Sequence, residues 1–167
     1  MCVLMGERIM SEWRICKLVM LGVEDMASVA AIEVALGKAE EIIKNATEKQ
    51  IVFVAPVPEQ IKDWLLTGHY RLVRTRYCAM ASGLGVPVSV LMPIFKSLNR
   101  AIEWAKNCGS VSDVEKQKAF LHFGERLSAE LFAAALARRY AGTVVSVVDG
   151  KDILGSYFTV SFSKTLS

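Results

Sequence analysis

The sequence predicts an α/β fold whose mainly parallel sheet lies between helices. Two observations carry that expectation. The first is a strand, a helix and a second strand in close succession between Ile15 and Ala55. Parallel neighbours joined by a crossover helix favour a sheet covered on both faces. The second is composition: 53% of the 167 residues are hydrophobic and 22% are charged, the balance of a globular chain rather than a disordered one. That length suits one domain with its own core.

Each element follows from local pattern. Ile15–Leu21 is a run of buried-strand type, and a turn is expected at Gly22–Asp25. From about Ala27 to Asn45, Val29, Ile32, Leu36, Ala39 and Ile43 recur at spacings of three and four, which is one face of a helix. Asp25 or Ser28 is placed to cap its start. Gln50–Ala55 is a strand of β-formers closed by Pro56 and Pro58. A short helix is expected over Glu59–Leu66. The stretch that follows is broken by Gly83, Gly85 and Pro87, and its cluster of Arg71, Arg74, Arg76 and His69 with Tyr70 and Tyr77 is expected to be a solvated surface loop. Ile94, Leu98, Ile102 and Ala105 mark a helix over Pro93–Asn107, stopped by Cys108-Gly109. Ser112 or Asp113 opens the next helical stretch, which it or a successor continues through Glu125 to about Arg139. Thr143–Val148 and Tyr157–Phe162 are expected strands.

Charge and cysteine usage narrow the function classes. The net charge is +3, too mild for the electrostatic footprint of a nucleic-acid binder. Cys2, Cys16, Cys78 and Cys108 are scattered and form no metal-like cluster with His69 or His122, so reduced thiols are expected. Met1–Met5 is apolar, but Glu7, Arg8 and Glu12 interrupt it at once, which does not suit a secretory signal. No stretch reaches the ~18 apolar residues of a membrane span. A cytoplasmic location is the expectation, with residues 1–14 as an N-terminal extension and 15–167 as the domain.

Three stretches carry a resemblance. The most specific is His122-Phe-Gly-Glu-Arg-Leu-Ser-Ala129, followed by the small apolar run Glu130–Arg139. The second is Leu18-Val-Met-Leu-Gly-Val-Glu-Asp-Met-Ala-Ser28 with the helix ending at Ala46. The third is Ile51-Val-Phe-Val-Ala-Pro-Val-Pro-Glu-Gln-Ile61, running on to Leu66. In order and spacing these resemble the amino-terminal half of aspartokinase, of the amino-acid kinase family. Val147–Leu154 adds a weaker match. The resemblance implies a three-layer αβα kinase-like domain, truncated, because the family's Gly-Arg-Gly-Gly-Ser-Asp segment and adenine-binding half have no counterpart here.

The family transfers the γ-phosphoryl group of ATP to the aspartate side chain, a reaction of positioning and charge stabilisation. A lysine and a glycine-rich loop at a helix N-terminus cradle the phosphates. At the matching positions this chain has Met20 for the lysine, Val23 for the second glycine and Glu24-Asp25 for Thr-Ser; only Gly22 is kept. In the second loop Ala55 replaces the family's serine, Pro58-Glu59 its glycine pair and Ile61 its substrate-contacting threonine. Glu125 matches the glutamate that holds the amino group of aspartate, and Ser128 lies one helical turn on.

These departures imply no catalytic residue in this chain and three open functions. It is a degenerate homologue acting as a binding or assembly subunit, partnered by itself or by a full-length kinase. Alternatively it is an aspartate kinase working with a second chain, which would require Mg-ATP. As a third reading it is a module that binds an amino acid such as aspartate through Glu125 and Ser128. No metal, other cofactor, nucleic acid or membrane is expected.

Overall fold

The computed structural model describes residues 2–4, 16–109, 112–140, 144–149 and 158–163. Strand β1 (Cys2–Leu4) is followed by β2 (Cys16–Met20), a 3-10 turn at Val23–Met26 and helix α1 (Val29–Asn45). Strand β3 (Gln50–Val54) leads into α2 (Glu59–Thr67) and α3 (Tyr70–Gly83). A second 3-10 turn at Val88–Val90 precedes α4 (Met92–Asn107), α5 (Asp113–Arg139), β4 (Val144–Asp149) and β5 (Phe158–Ser163).

The five strands form one sheet in the order β1-β2-β3-β5-β4. Only β2 and β3 run parallel, with Lys17 opposite Ile51 and Val19 opposite Phe53. The β1–β2, β3–β5 and β4–β5 pairings are antiparallel. The fold is therefore mixed α/β, and the expectation of a mainly parallel sheet is corrected. The reason is connectivity. The βαβ unit supplies the one parallel pair, whereas β5 enters against β3 from the opposite direction and β4 pairs with β5 as antiparallel neighbours do.

One face of the sheet carries Val19, Ile51, Phe53, Val160 and Phe162, with Val145 and Val147 partly buried beside them. All five helices contribute to the same apolar cluster, and Val52, Val54, Thr159 and Ser161, which alternate with these residues along β3 and β5, are buried as well. Phe53 meets Phe132 of α5 with ring centroids 5.6 Å apart, and Tyr140 meets Phe162 edge-on at 5.3 Å. Such tilted and edge contacts add to the burial of two large side chains.

Local chemistry explains the helix ends. Ser28 caps α1, its Oγ accepting from the Ala31 amide at 3.1 Å. Ser112 caps α5 in a capping box with Glu115. Gly68 closes α2 at φ +82°, a left-handed conformation that suits glycine. Strand β1 lies within the stretch expected as an extension and pairs with β2. The expected strand residues Ile15, Thr143 and Tyr157 lie outside the described residues, as does 150–154 of the weaker match. The expected loop after Leu66 is instead α3. Val73, Tyr77, Met80 and Ala81 bury one face of it, and the basic residues occupy the rest, with Arg74 over the Phe95 ring at 5.6 Å. Among the described residues no helix is long and apolar enough to cross a membrane.

Helix α5 is the hub. It buries ten residues, from Phe120 to Leu136. Arg139 near its end bridges Glu33 and Glu40 of α1. These groups are largely exposed, so the pairs orient the two helices more than they stabilise them. The closest approach is at Gly124, where a Cβ would lie 2.7 Å from Leu65 Cδ1 and 3.1 Å from Val57 Cγ1.

This contact sets the first expectation. Gly124→Ala gains helix propensity of about 1 kcal/mol, but the crowding against buried Leu65 and stiff Val57 costs more, ~1–3 kcal/mol. The variant is expected to unfold at lower urea. Leu65→Ala alone costs about 2–5 kcal/mol, and the double variant Gly124→Ala/Leu65→Ala is expected to be more stable than additivity allows. An additive double-mutant cycle would show that Gly124 is not a packing requirement.

Candidate functional site

The carboxyl ends of the parallel pair β2 and β3 open onto a cleft of about 380 Å³. In α/β sheets such crevices beyond the strand ends are where ligands bind. One wall is the turn after β2, with Val23, Glu24 and Ala27; the other is the β3–α2 junction from Pro58 to Ile61; Arg76 and Met80 of α3 complete it. The fold thus brings together the two loops singled out in the sequence, although they are about thirty residues apart in the chain.

The first loop is filled by its own acids. The Gly22 amide donates to Asp25 Oδ2 at 2.7 Å, and Asp25 is only 8% exposed. A Cβ on Gly22 would collide with the Glu24 carboxylate, which is folded over the glycine. Both the amide and the open space that a glycine offers an anion are therefore occupied by carboxylates. Of the two caps expected for α1, Ser28 takes that role, and Asp25 instead closes the start of the 3-10 turn. Glu24 is no cap: it is exposed and lines the cleft. Met20 ends β2, half-buried, and is not among the residues lining the cleft.

The second loop also offers an anion little. Pro56 and Pro58 offer no amide hydrogen, and Pro58 is the residue before the first turn of α2. Glu59 follows at the helix start, exposed and favourable to the helix dipole. Ile61 is 2% exposed and belongs to the core cluster as well as to the cleft floor.

Arg76 was read in the sequence only as part of a basic cluster, yet it is the cation of the cleft. Its Nη2 donates to the Ala27 carbonyl at 2.8 Å, which ties α3 to the end of the first loop. The signal for it was one turn of spacing: Arg76 lies next to Tyr77 and four residues before Met80, beside the buried stripe.

Glu125 and Ser128 lie elsewhere. Both are on α5, and neither lines the cleft. Ser128 is 0% exposed, and its Oγ is 2.7 Å from the Tyr77 hydroxyl. That hydroxyl also donates to the Gly124 carbonyl at 3.3 Å. Tyr77 and Ser128 thus satisfy each other in the core, where an unpaired hydroxyl would be costly. Glu125 is half-buried, with His122 Nδ1 3.8 Å from its Oε2; His122 stacks on Phe158 at 4.5 Å. The Phe-Gly-Glu-Arg-Leu-Ser segment is accounted for by packing at Gly124, Leu127 and Ser128. Among the described residues no three His, Cys, Asp or Glu side chains form a metal-ligating group.

Comparison with protein-family models, with curated proteins and with solved structures finds no match to this chain.

The buried hydroxyl pair gives a test. Tyr77→Phe leaves Ser128 unpaired and is expected to cost about 1–3 kcal/mol. Adding Ser128→Ala is expected to recover part of that loss in urea melts. Burial pushes the Tyr77 phenol well above the ordinary value of 10.0 despite the Ser128 hydrogen bond. The folded state therefore holds this proton longer than the unfolded chain. Its contribution is complete below pH 10 and is lost as pH rises above it. Burial also raises Tyr70 and Tyr140. Tyr77→Phe is accordingly expected to shallow, not abolish, the alkaline fall in stability; an unchanged slope would contradict the burial of this phenol.

Proposed function

We propose that the chain is an aspartokinase-like protein that has lost phosphoryl transfer and serves as a binding or assembly subunit. One observation carries the reading: the loop after β2 is occupied by its own carboxylates. Asp25 takes the Gly22 amide, and Glu24 covers the glycine. A triphosphate approaching this loop would meet like charge at Glu24 and Glu59, with Met20 where the family has its lysine. Phosphoryl transfer depends on cations and free amides around the phosphates, so these residues do not fit Mg-ATP.

What supports the family part is the order of the three resembling segments, together with the single βαβ unit that brings the first two loops to one cleft. The family's mainly parallel three-layer domain is part of this proposal only as an ancestor, since the described sheet is mostly antiparallel. A full-length kinase subunit or a second copy is the proposed partner. The reading as an aspartate kinase completed by a second chain is weaker, because a partner would supply neither a lysine at position 20 nor a vacant Gly22 amide. Aspartate binding at Glu125 is weaker too, since Ser128 is engaged in the core and Glu125 faces His122.

Calorimetric titration of the purified chain with Mg-ATP and with aspartate, beside a phosphoryl-transfer assay, tests this. We expect no turnover and no Mg-ATP binding, and Met20→Lys is expected to restore neither, because the loop acids remain. Sedimentation of the chain is expected to show self-association or, with a kinase subunit added, a mixed complex. Turnover by the isolated chain would overturn the proposal.

A further inference from the structure

The cleft beyond β2 and β3 is unsuited to a phosphate, yet it is a formed concavity with an apolar floor and charged rim. We propose that it binds a primary ammonium group carried on a short alkyl body. This deepens the binding reading above and rests on it in one respect, that nucleotide does not occupy the cleft.

The volume, about 380 Å³, falls within the size of small-ligand sites, ~300–1,000 Å³. Val23, Ile61 and Met80 supply apolar surface for an alkyl chain. Glu24 and Glu59 stand on the two opposing loops, one from each side of the cleft. Among the described residues neither carboxylate is in an ion pair. Asp25, the third acid of these loops, is turned inward onto the Gly22 amide and does not line the cleft. Two glutamates lining one apolar cleft from separate elements suit an ammonium group, whose three N–H groups can donate to both carboxylates.

Arg76 decides which ammonium compound fits. One of its donors is committed to the Ala27 carbonyl, which holds the guanidinium at the cleft wall. A plain amine must keep its body away from this charge. A zwitterion would place a carboxylate on it and its ammonium between the glutamates. The shared chemistry is the alkylammonium group; the source is either a free amine or an α-amino acid with an apolar side chain.

Putrescine and norvaline serve as the two probes, with inorganic phosphate as the anion control, each titrated into the full chain by calorimetry and followed by amide chemical shifts. At least one ammonium probe is expected to bind saturably, shifting amides of residues 22–27 and 58–61, while phosphate does not. Glu24→Gln and Glu59→Gln are each expected to weaken binding roughly fivefold, the size of an exposed charge contact. Glu103→Gln, which removes a carboxylate on α4 outside the cleft, is expected to leave binding unchanged. Loss of norvaline binding alone in Arg76→Gln assigns an amino acid; putrescine binding that persists or tightens in that variant assigns an amine. Silence of both probes, equal binding by the Glu24 and Glu59 variants, or preference for phosphate would overturn the proposal. Silence of the amines with Mg-ATP also silent removes this inference and leaves the function reading standing; binding of Mg-ATP removes both.

Discussion

The helical layer depends on how closely α5 lies against the β3–α2 junction. That approach is possible because Gly124 has no side chain at the point where Leu65 and Val57 press on the helix. One helical turn on, the chain must still satisfy polar groups in a dry interior. It does so by pairing Ser128 with Tyr77, which locks α3 to α5 by a hydrogen bond that water cannot replace. Leu127, Leu131, Phe132 and Leu136 then run along the sheet with 0% exposure, and Phe132 reaches Phe53 in the central strand. Close packing of this kind tolerates little change in volume, so α5 fixes α2 and α3, which border the cleft at Glu59–Ile61 and at Arg76 and Met80.

The cleft is a by-product of that arrangement and of the βαβ unit. Parallel β2 and β3 must both deliver their chains at the same end of the sheet, so the turn at Val23–Met26 and the junction at Pro58–Ile61 face one another. The third side comes from α3, whose Val73, Tyr77 and Met80 turn inward and thereby bring Arg76 to the rim. The bond from Arg76 to the Ala27 carbonyl closes the ring of elements. Charge within this frame was free to change without disturbing the core, because Glu24 and Glu59 are both exposed. The loops can therefore carry acids without disturbing the packing beneath them.

Much of this was legible in the residues. The apolar spacing of α1, the β-formers of β3 and the Ser112 cap each point to the observed element because local pattern and tertiary burial agree there. The α3 region was misread for a physical reason. Its buried stripe, Val73, Tyr77, Met80 and Ala81, is narrow, and three arginines among them look like a solvated loop until the spacing of four, three and one is counted. The sheet direction was not legible, because a strand's sequence is the same whichever way its neighbour runs; only the βαβ spacing informs it, and that spacing occurs once. At the site, the sequence located both cleft loops and showed acids and prolines in them where an anion would need cations and free amides. It did not separate Ser128 from Glu125, since two residues one turn apart on a helix sit on neighbouring stripes that differ in burial only once Tyr77 is in place.

The Phe-Gly-Glu-Arg-Leu-Ser segment shows why retained residues and retained chemistry are different matters. Packing alone requires Gly124, Leu127 and Ser128, whatever else the segment does. Replacement at any of them strains or hollows the core. Met20, Glu24 and Glu59 carry no such burden: Met20 is half-buried at a strand end, and the glutamates face solvent. Substitution therefore costs the domain least at the loops and most at α5. The resemblance of this segment falls on residues whose packing holds the domain together, and it carries information about the fold before it carries any about a ligand.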